Sequence, residues 1–353
     1  MLSVIKRILK FIRSRKRFLV TAHARVDGDA LGCELTIARW LRKMGKQVTI
    51  INTGGISPEY RFLPGIQQVH QISNSKFSRM KMPKKNCIGI PMLNHRGLHH
   101  SGQIPNSKYY DAIIVLDAGG FKHLELVKDV LPSGCPIINI DHHPSNDYFG
   151  VINWVDAKIS CTGEMVYQLI KASRVPLDKS IALALYVALI TDTGNFSFST
   201  TTPASHRMAA DLVSYGINPR AVYRHIYEDK PYAAVRLHNE VIRRIRRLKG
   251  GGLAWTEITQ AITKRYHSEP ADSEEYLRVL KSLKETQIAV LFREGKNSQE
   301  GTKVSIRTTL GIDANRLMVH FGGGGHHRAA GCTIHRPFPE ARRIVLAYLI
   351  KQL

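Results

Sequence analysis

The run PIINIDHHPSN at residues 136–146 decides the fold. Pro136, Ile137, Ile138 and Ile140 have the spacing of a short buried strand, and Pro144, Ser145 and Asn146 break the chain into a loop. Between them stand Asp141, His142 and His143, a carboxylate and two imidazoles at a strand's carboxyl end. Ligands gather there in open α/β sheets, and mixed carboxylate and imidazole groups suit a divalent metal. One such triplet also occurs as a solvated loop, so its weight depends on whether other segments end the same way.

They do. Phe18 to Ala22 is read as a strand, followed directly by HARVDGDALG at 23–32, and Ala30 to Met44 has helical apolar spacing. His23, Asp27 and Asp29 therefore occupy a strand-to-helix turn, with Gly28 allowing a tight backbone; Asp29 alone could equally be a helix cap. Val48 to Asn52 completes a strand–helix–strand unit of the doubly wound kind. Tyr110 to Leu116 forms another buried strand with Asp117 at its end. The segment SCTGEMVYQLI (160–170) opens a helix in which Glu164 is either a first-turn acid or a buried partner for an imidazole. The apolar helix Ile181 to Ile190 delivers Asp192 at its end. His23, Asp27, Asp29, Asp117, His142 and Asp192 thus all lie at element ends. A pair of divalent ions bound by carboxylates and imidazoles, one acid bridging, needs about this many groups. The lack of thiolates among them favours manganese, with magnesium or cobalt as substitutes.

Composition bounds the rest. The chain of 353 residues is long enough for two domains, and the ten-residue run from Ile181 is far too short to span a bilayer. Lys6, Arg7 and Lys10 interrupt the N-terminal apolar pattern, which argues against a signal peptide and for a basic amphipathic helix with Leu2, Ile5, Ile8, Leu9 and Ile12 inward. Five scattered cysteines without a C-x-x-C pair point to a reducing, cytoplasmic setting. A formal charge of +23 implies a polyanionic partner such as RNA, DNA or nucleotides. Residues 71–110 carry seven Lys or Arg and no acid, with His95, His99 and His100, and read as a solvated basic insertion loop.

Taken together, HARVDGDALG, VLDAGG, NIDHHPSN and LITDTGNF, in this order, resemble the four motifs of the DHH phosphoesterase superfamily. GGGGHHRAAG at 322–331 is similar to the signature of the DHH-associated domain, and the combination resembles the bacterial oligoribonuclease and 3′,5′-bisphosphate nucleotide phosphatase branch. The resemblance implies that His23, Asp27 and Asp117 hold one ion and that Asp29, Asp117, His142 and Asp192 hold the second. It gives His143 contact with the scissile phosphate or protonation of the leaving oxygen, and Asp141 the orientation of the neighbouring histidines. Two departures stand out: Val26 where the family often has proline, and Gly120 and His123 where it usually has an acid and an arginine.

The expected architecture is α/β: a mainly parallel catalytic domain over 1–230 with the 71–110 insertion, a connector helix and linker over 231–250, and a smaller α/β DHH-associated domain over 251–353, with the active site in the cleft between domains. Pro231 to Leu248 reads as the connector helix. Strands are expected at Leu253–Thr259, Gln287–Phe292 and Lys303–Thr309, with a helix around Ser273–Leu283. Ser305 and Arg307 share a strand face and, with Thr308, read as phosphate contacts. Gly322, Gly323, Gly324 and Gly325 would let an anion reach backbone amides beside His326, or would form a flexible hinge.

The implied activity is hydrolysis of short single-stranded oligonucleotides to mononucleotides and of 3′-phosphoadenosine 5′-phosphate to AMP. A cyclic or linear dinucleotide phosphodiesterase would share the first domain, and a non-catalytic nucleic-acid binder is disfavoured because all six ligand positions are filled. No stable membrane association is expected, and a homodimer is compatible with this assignment.

Overall fold

A computed structural model describes residues 2–24, 26–72, 87–93, 99–105, 110–268, 273–297, 299–309 and 311–353. They form two compact units, Met1–Asp229 and Lys230–Leu353.

The first unit is built on a six-stranded, wholly parallel sheet. Its strands are β1 (Arg17–Ala22), β2 (Gln47–Thr53), β3 (Val69–Ile72), β6 (Ala112–Leu116), β7 (Ile137–Asp141) and β8 (Ile152–Val155), in the order β3-β2-β1-β6-β7-β8. The order reverses between β1 and β6, so the crevice above their carboxyl ends is a topological switch point. Alternation divides the strand side chains between two faces. Phe18, Val20 and Ala22 of β1 join one core with Ala112, Ile114 and Leu116 of β6. Helices Leu2–Arg13, Gly28–Lys43, Thr162–Ser173 and Lys179–Asp192 supply the other side of that core. Leu19, Ile113 and Val115 face the opposite way and pack on Leu124 and Val127 of the short 3₁₀ segment Phe121–Asp129.

Helix Lys179–Asp192 is apolar nearly all round because it is buried against the Gly28 helix. Two glycines make that approach possible. A Cβ at Gly32 would lie 2.4 Å from the Ala184 carbonyl oxygen, and one at Gly28 2.4 Å from the Thr191 side chain. Gly28 was expected to serve a tight turn; it opens the helix instead, and what demands glycine there is space.

Two other expectations need correction in this unit. Leu2, the first residue of its helix, is 71% exposed, whereas Ile5, Ile8, Leu9 and Ile12 are buried. The insertion is not wholly loop: β4 (Cys87–Leu93) and β5 (His99–Pro105) pair as an antiparallel hairpin. Lys76, Arg79, Lys81, Lys84, Lys85, His95, Arg96 and Lys108 lie outside the described residues.

The second unit has a mixed sheet in the order β13-β14-β12-β11-β10-β9. The strands are β9 (Arg246–Leu248), β10 (Leu253–Ile258), β11 (Ile288–Glu294), β12 (Thr302–Thr308), β13 (Gly324–Gly325) and β14 (Ala329–Ile334). Only β10 and β11 run parallel. Leu237 and Val241 of helix Tyr232–Arg243 pack on Ala254, Ala289 and Leu291 on one face of this sheet. Val345 and Leu349 of helix Phe338–Ile350 pack on Val290, Val304 and Ile306 on the other.

The expected helix to Leu248 ends at Arg243. Arg246–Leu248 pairs with Leu253–Trp255 through a turn at Gly250 and Gly251, both at positive φ. Hydrogen bonding to a waiting sheet edge outweighs arginine's helix preference, and two charged side chains suit an edge strand.

Candidate metal centre

Every candidate side chain of the first unit leaves a sheet or helix terminus above the switch point. His23 follows β1 by one residue, Asp117 follows β6, Asp141 ends β7 with His142 and His143 next, and Asp192 ends its helix. Asp117 has φ 52°, a left-handed conformation that aspartate tolerates better than most residues. Its N–H nevertheless donates to the Ile140 carbonyl at 3.0 Å, so it stays anchored to β7.

The donors form two trios. His23, Asp27 and Asp117 each offer an atom within 4.8 Å of the others, and so do Asp29, His142 and Asp192. Asp117 stands between them: Oδ2 is 3.4 Å from His23 Nε2, while Oδ1 is 3.6 Å from His142 Nε2. His142 Nε2 is also 3.4 Å from Asp192 Oδ2. A third trio, Asp117, His142 and His143, comes within the same reach. His143 Nδ1, however, lies only 2.7 Å from Asp141 Oδ1.

Asp27, rather than Asp29, caps the Gly28 helix, accepting from Ala30 N at 3.0 Å. Asp29 is 1% exposed and accepts from Thr162 N and Gly163 N, each at 2.8 Å. It thereby caps the neighbouring Thr162–Ser173 helix, whose own N-cap, Cys161, supplies no side-chain bond. Thr162 turns its hydroxyl to Asp117 Oδ1 at 3.0 Å. Glu164 is a first-turn acid that accepts from Ser160 Oγ, just before the helix, at 2.7 Å.

The electrostatics favour a cation. Burial, then the negative charges of Asp117, Asp192 and Asp27, push the Asp29 carboxyl well above the usual range. Burial likewise pushes Asp192 up to about 7, against the pull of His142. For Asp117 burial acts upward too, but the His23 hydrogen bond and the charges of the three histidines outweigh it and hold this carboxyl low. His142 gives a geometric test. Its Nδ1 faces the Ile159 carbonyl at 3.4 Å, and a carbonyl can only accept, so Nδ1 carries the proton. Its Nε2 edge faces carboxylate oxygens of Asp117 and Asp192 at 3.6 and 3.4 Å, a position from which the neutral imidazole would ligate a cation placed between them. Burial keeps the nearby Cys33 thiol protonated, so it adds no thiolate.

Behind the trios runs a relay of amides. Asn139 Nδ2 donates to Asn146 Oδ1 at 2.9 Å, and Asn146 Nδ2 donates to Asp141 Oδ2 at 2.6 Å and to the Ala118 carbonyl at 3.2 Å. Asp141, fully buried, then fixes His143. The expectation that Asp141 orients both histidines is corrected here, since His142 is held by Ile159 instead. Asn146 and Thr162 were missed as site residues. Their one sequence signal is polarity where burial is expected, as with Asn139 between two isoleucines.

In the departure after Asp117, a Cβ at Gly120 would meet only the Asp147 carboxylate, the far end of a flexible side chain, at 2.9 Å, so packing does not demand glycine there. The His123 carbonyl accepts from Ala24 N at 2.9 Å, tying the segment after Asp117 to the one after His23.

The candidate contacts on the second unit fare differently. Ser305 and Arg307 do share the half-buried face of β12. Arg307 is ion-paired with Glu274 and donates to the Ile306 carbonyl at 2.8 Å. Thr308 is corrected: it lies on the other face, fully buried, with its hydroxyl given to the Ile312 carbonyl at 2.7 Å. Four amides of the expected cradle have partners within the protein. The N–H groups of Gly322, Gly323, Gly325 and His326 are bonded to Val319, Met318, Asn315 and Ala329 respectively. Gly324 and Gly325 form β13, and a Cβ at Gly323 would lie 2.2 Å from the Gly331 carbonyl oxygen. Backbone packing against β14 therefore calls for Gly323 and Gly325, and His326 beside them is exposed.

Residues 17–189 match the DHH family, N-terminal domain, and residues 258–351 match the DHHA1 domain. The chain is 27% identical to the bifunctional oligoribonuclease and PAP phosphatase NrnA of Thermus thermophilus, covering 89% of this chain and 83% of that protein. The Bacillus subtilis protein of the same name is also 27% identical, over 78% of this chain and 87% of its own length. An exopolyphosphatase-related protein from Bacteroides fragilis has the same fold, with a TM-score of 0.84 at 23% identity over 99% of this chain and 96% of that one. Among the described residues no helix is long and apolar enough to cross a membrane. With a DHH N-terminal domain followed by a DHHA1 domain, the chain belongs to the DHH phosphoesterase family of metal-dependent hydrolases.

Proposed function

We propose that the chain hydrolyses short single-stranded oligonucleotides to mononucleotides and 3′-phosphoadenosine 5′-phosphate to AMP, using two divalent cations, manganese by preference. The carrying observation is the placement of Asp117 between two donor trios, with a different carboxylate oxygen toward each. His23, Asp27 and Asp117 would hold one cation; Asp29, Asp117, His142 and Asp192 would hold the other. Imidazole with carboxylate and no thiolate suits manganese, with magnesium or cobalt able to replace it. Bound there, the cations would polarise phosphate oxygens, acidify a water and offset charge in an in-line displacement.

The protein's own part is positioning and proton delivery. Asp141 engages His143 Nδ1 at 2.7 Å, which assigns proton transfer to Nε2 and gives His143 the role of acid toward the departing oxygen. On the second unit, Ser305 and Arg307 are the side chains offered to a phosphate, with a substrate phosphate replacing Glu274 on the guanidinium. The substrate class is supported by the activities named for the Thermus and Bacillus relatives and by a net charge of +23.

A product time course tests this directly. Purified protein with manganese is given defined di- to pentanucleotides, cyclic dinucleotides and 3′-phosphoadenosine 5′-phosphate. Mononucleotides and AMP are expected. Turnover confined to cyclic dinucleotides would move the assignment to that phosphodiesterase class, and binding without any release would reject hydrolysis of these substrates.

A further inference from the structure

The first acid in the sequence is Asp27, yet Lys6, Arg7, Lys10, Arg13, Arg15, Lys16 and Arg17 precede it. Three of these cations are occupied. Arg7 donates to the Val151 carbonyl at 3.0 Å, Arg15 lies over the Phe11 ring, and Arg17 pairs with Asp111 at 2.8 Å. Lys6, Lys10, Arg13 and Lys16 are exposed and have no carboxylate partner among the described residues. Lys6, Lys10 and Arg13 are spaced i, i+4, i+7, which sets them in one stripe about 10 Å long on the Leu2–Arg13 helix. Lys16 continues the patch to the start of β1, where Ser14, Arg15, Lys16, Arg17, Gln47 and Asp111 line a surface hollow.

The patch belongs to the opposite end of the sheet from the metal centre. β1 runs six residues from Arg17 to Ala22 before His23, which at about 3.3 Å per residue separates the two by roughly 20 Å. The one carboxylate in that hollow, Asp111, is committed to Arg17 and to the Lys16 and Arg17 amides, so the four solvated cations repel one another, and a polyanion would offset that repulsion while releasing its own counterions. An anionic bilayer is the weaker fit. A basic amphipathic helix binds one by burying its apolar face among the lipids, and here Ile5, Ile8, Leu9 and Ile12 are already spent on the protein core.

We propose that Lys6, Lys10, Arg13 and Lys16 form a docking surface for an RNA backbone, separate from the centre that performs hydrolysis. Recognition there is of phosphate and without sequence preference, because the stripe presents cations alone. It would hold an RNA too long to lie wholly at the metal centre, or keep the enzyme on RNA between turnovers. The proposal does not depend on which nucleotide the metal centre hydrolyses.

The test compares the full chain with a Lys6→Gln, Lys10→Gln, Arg13→Gln, Lys16→Gln variant and with a charge-matched control, Lys128→Gln, Lys158→Gln, Lys179→Gln, Arg207→Gln. The probe is a fluorescent 24-nucleotide phosphorothioate oligouridylate, titrated across a salt series. The four-site variant is expected to bind at least about tenfold more weakly at low salt. The slope of log affinity against log salt should fall in magnitude by about 3, at about 0.7 per lost phosphate contact with a single strand. Its dinucleotide hydrolysis and melting temperature should match the parent. An unchanged slope, or an equal loss in the control, would overturn the proposal. So would an unchanged slope accompanied by lost co-sedimentation with phosphatidylglycerol vesicles, which would reassign the patch to a membrane surface.

Discussion

The carboxyl ends of β1, β6 and β7 and the glycine segment at 322–325 both carry motif-like sequence, yet they use it in opposite ways. At the strand ends, imidazole and carboxylate groups from distant segments converge, and carboxyls such as Asp29 and Asp192 are driven upward by burial first and then by the charges of Asp117 and Asp27. In the glycine segment the amides of Gly322, Gly323 and Gly325 are bonded within the protein, and the missing side chains of Gly323 and Gly325 make room for β14. A side chain bearing chemistry announces what it can bind. A glycine announces only that something comes close, and here that something is the protein's own backbone.

The contrast can be broken by substitution, beginning with the largest effect. Asp117→Ala removes the carboxylate that belongs to one trio and reaches His142 of the other, and should lower kcat by more than about a thousandfold, beyond the cost of losing a single electrostatic contact; retained turnover in a steady-state assay would take Asp117 out of the site. Asn146→Ala cuts the relay to Asp141 and should lower kcat by about 10- to 100-fold, as for other groups supporting a metal site. KM should change little, and a shift confined to KM would show that Asn146 serves binding instead. Arg307→Ala should raise KM for a trinucleotide by about tenfold, the worth of one charge-assisted contact, with kcat nearly constant. An unchanged KM would leave Arg307 as a structural partner of Glu274. The smallest catalytic effect belongs to Gly323→Ala. It should destabilise the protein by about 1–3 kcal/mol in denaturant titrations while leaving dinucleotide kcat intact at low temperature. A specific loss of substrate affinity in a fully folded variant would restore the segment as an anion cradle.

Much of this was legible because the parallel sheet of the first unit is buried on both faces, so its strands read as short apolar runs ending in polar residues. DAIIVL followed by Asp117 and PIINI followed by Asp141 place the donors at strand ends with no need of tertiary information. What was hidden depends on partners distant in sequence. Asp29 caps a helix 133 residues away, a relation no local pattern contains. The assignment of Asp141 to His143 alone follows from which carbonyl lies behind His142. In the second unit, Arg246–Leu248 and Gly324–Gly325 are strands only because an edge is there to receive them. Thr308 looks like a phosphate contact by composition, and one residue of strand alternation turns it inward.

The central claim is that two trios meeting at Asp117 hold two cations in one chain. Equilibrium dialysis of the full chain against manganese, with bound metal counted by mass spectrometry, tests it most directly. The account predicts two manganese ions per chain at saturation, with at least one lost in Asp117→Ala. A plateau at one ion or none in the parent, or an undiminished count of two in the variant, would contradict it.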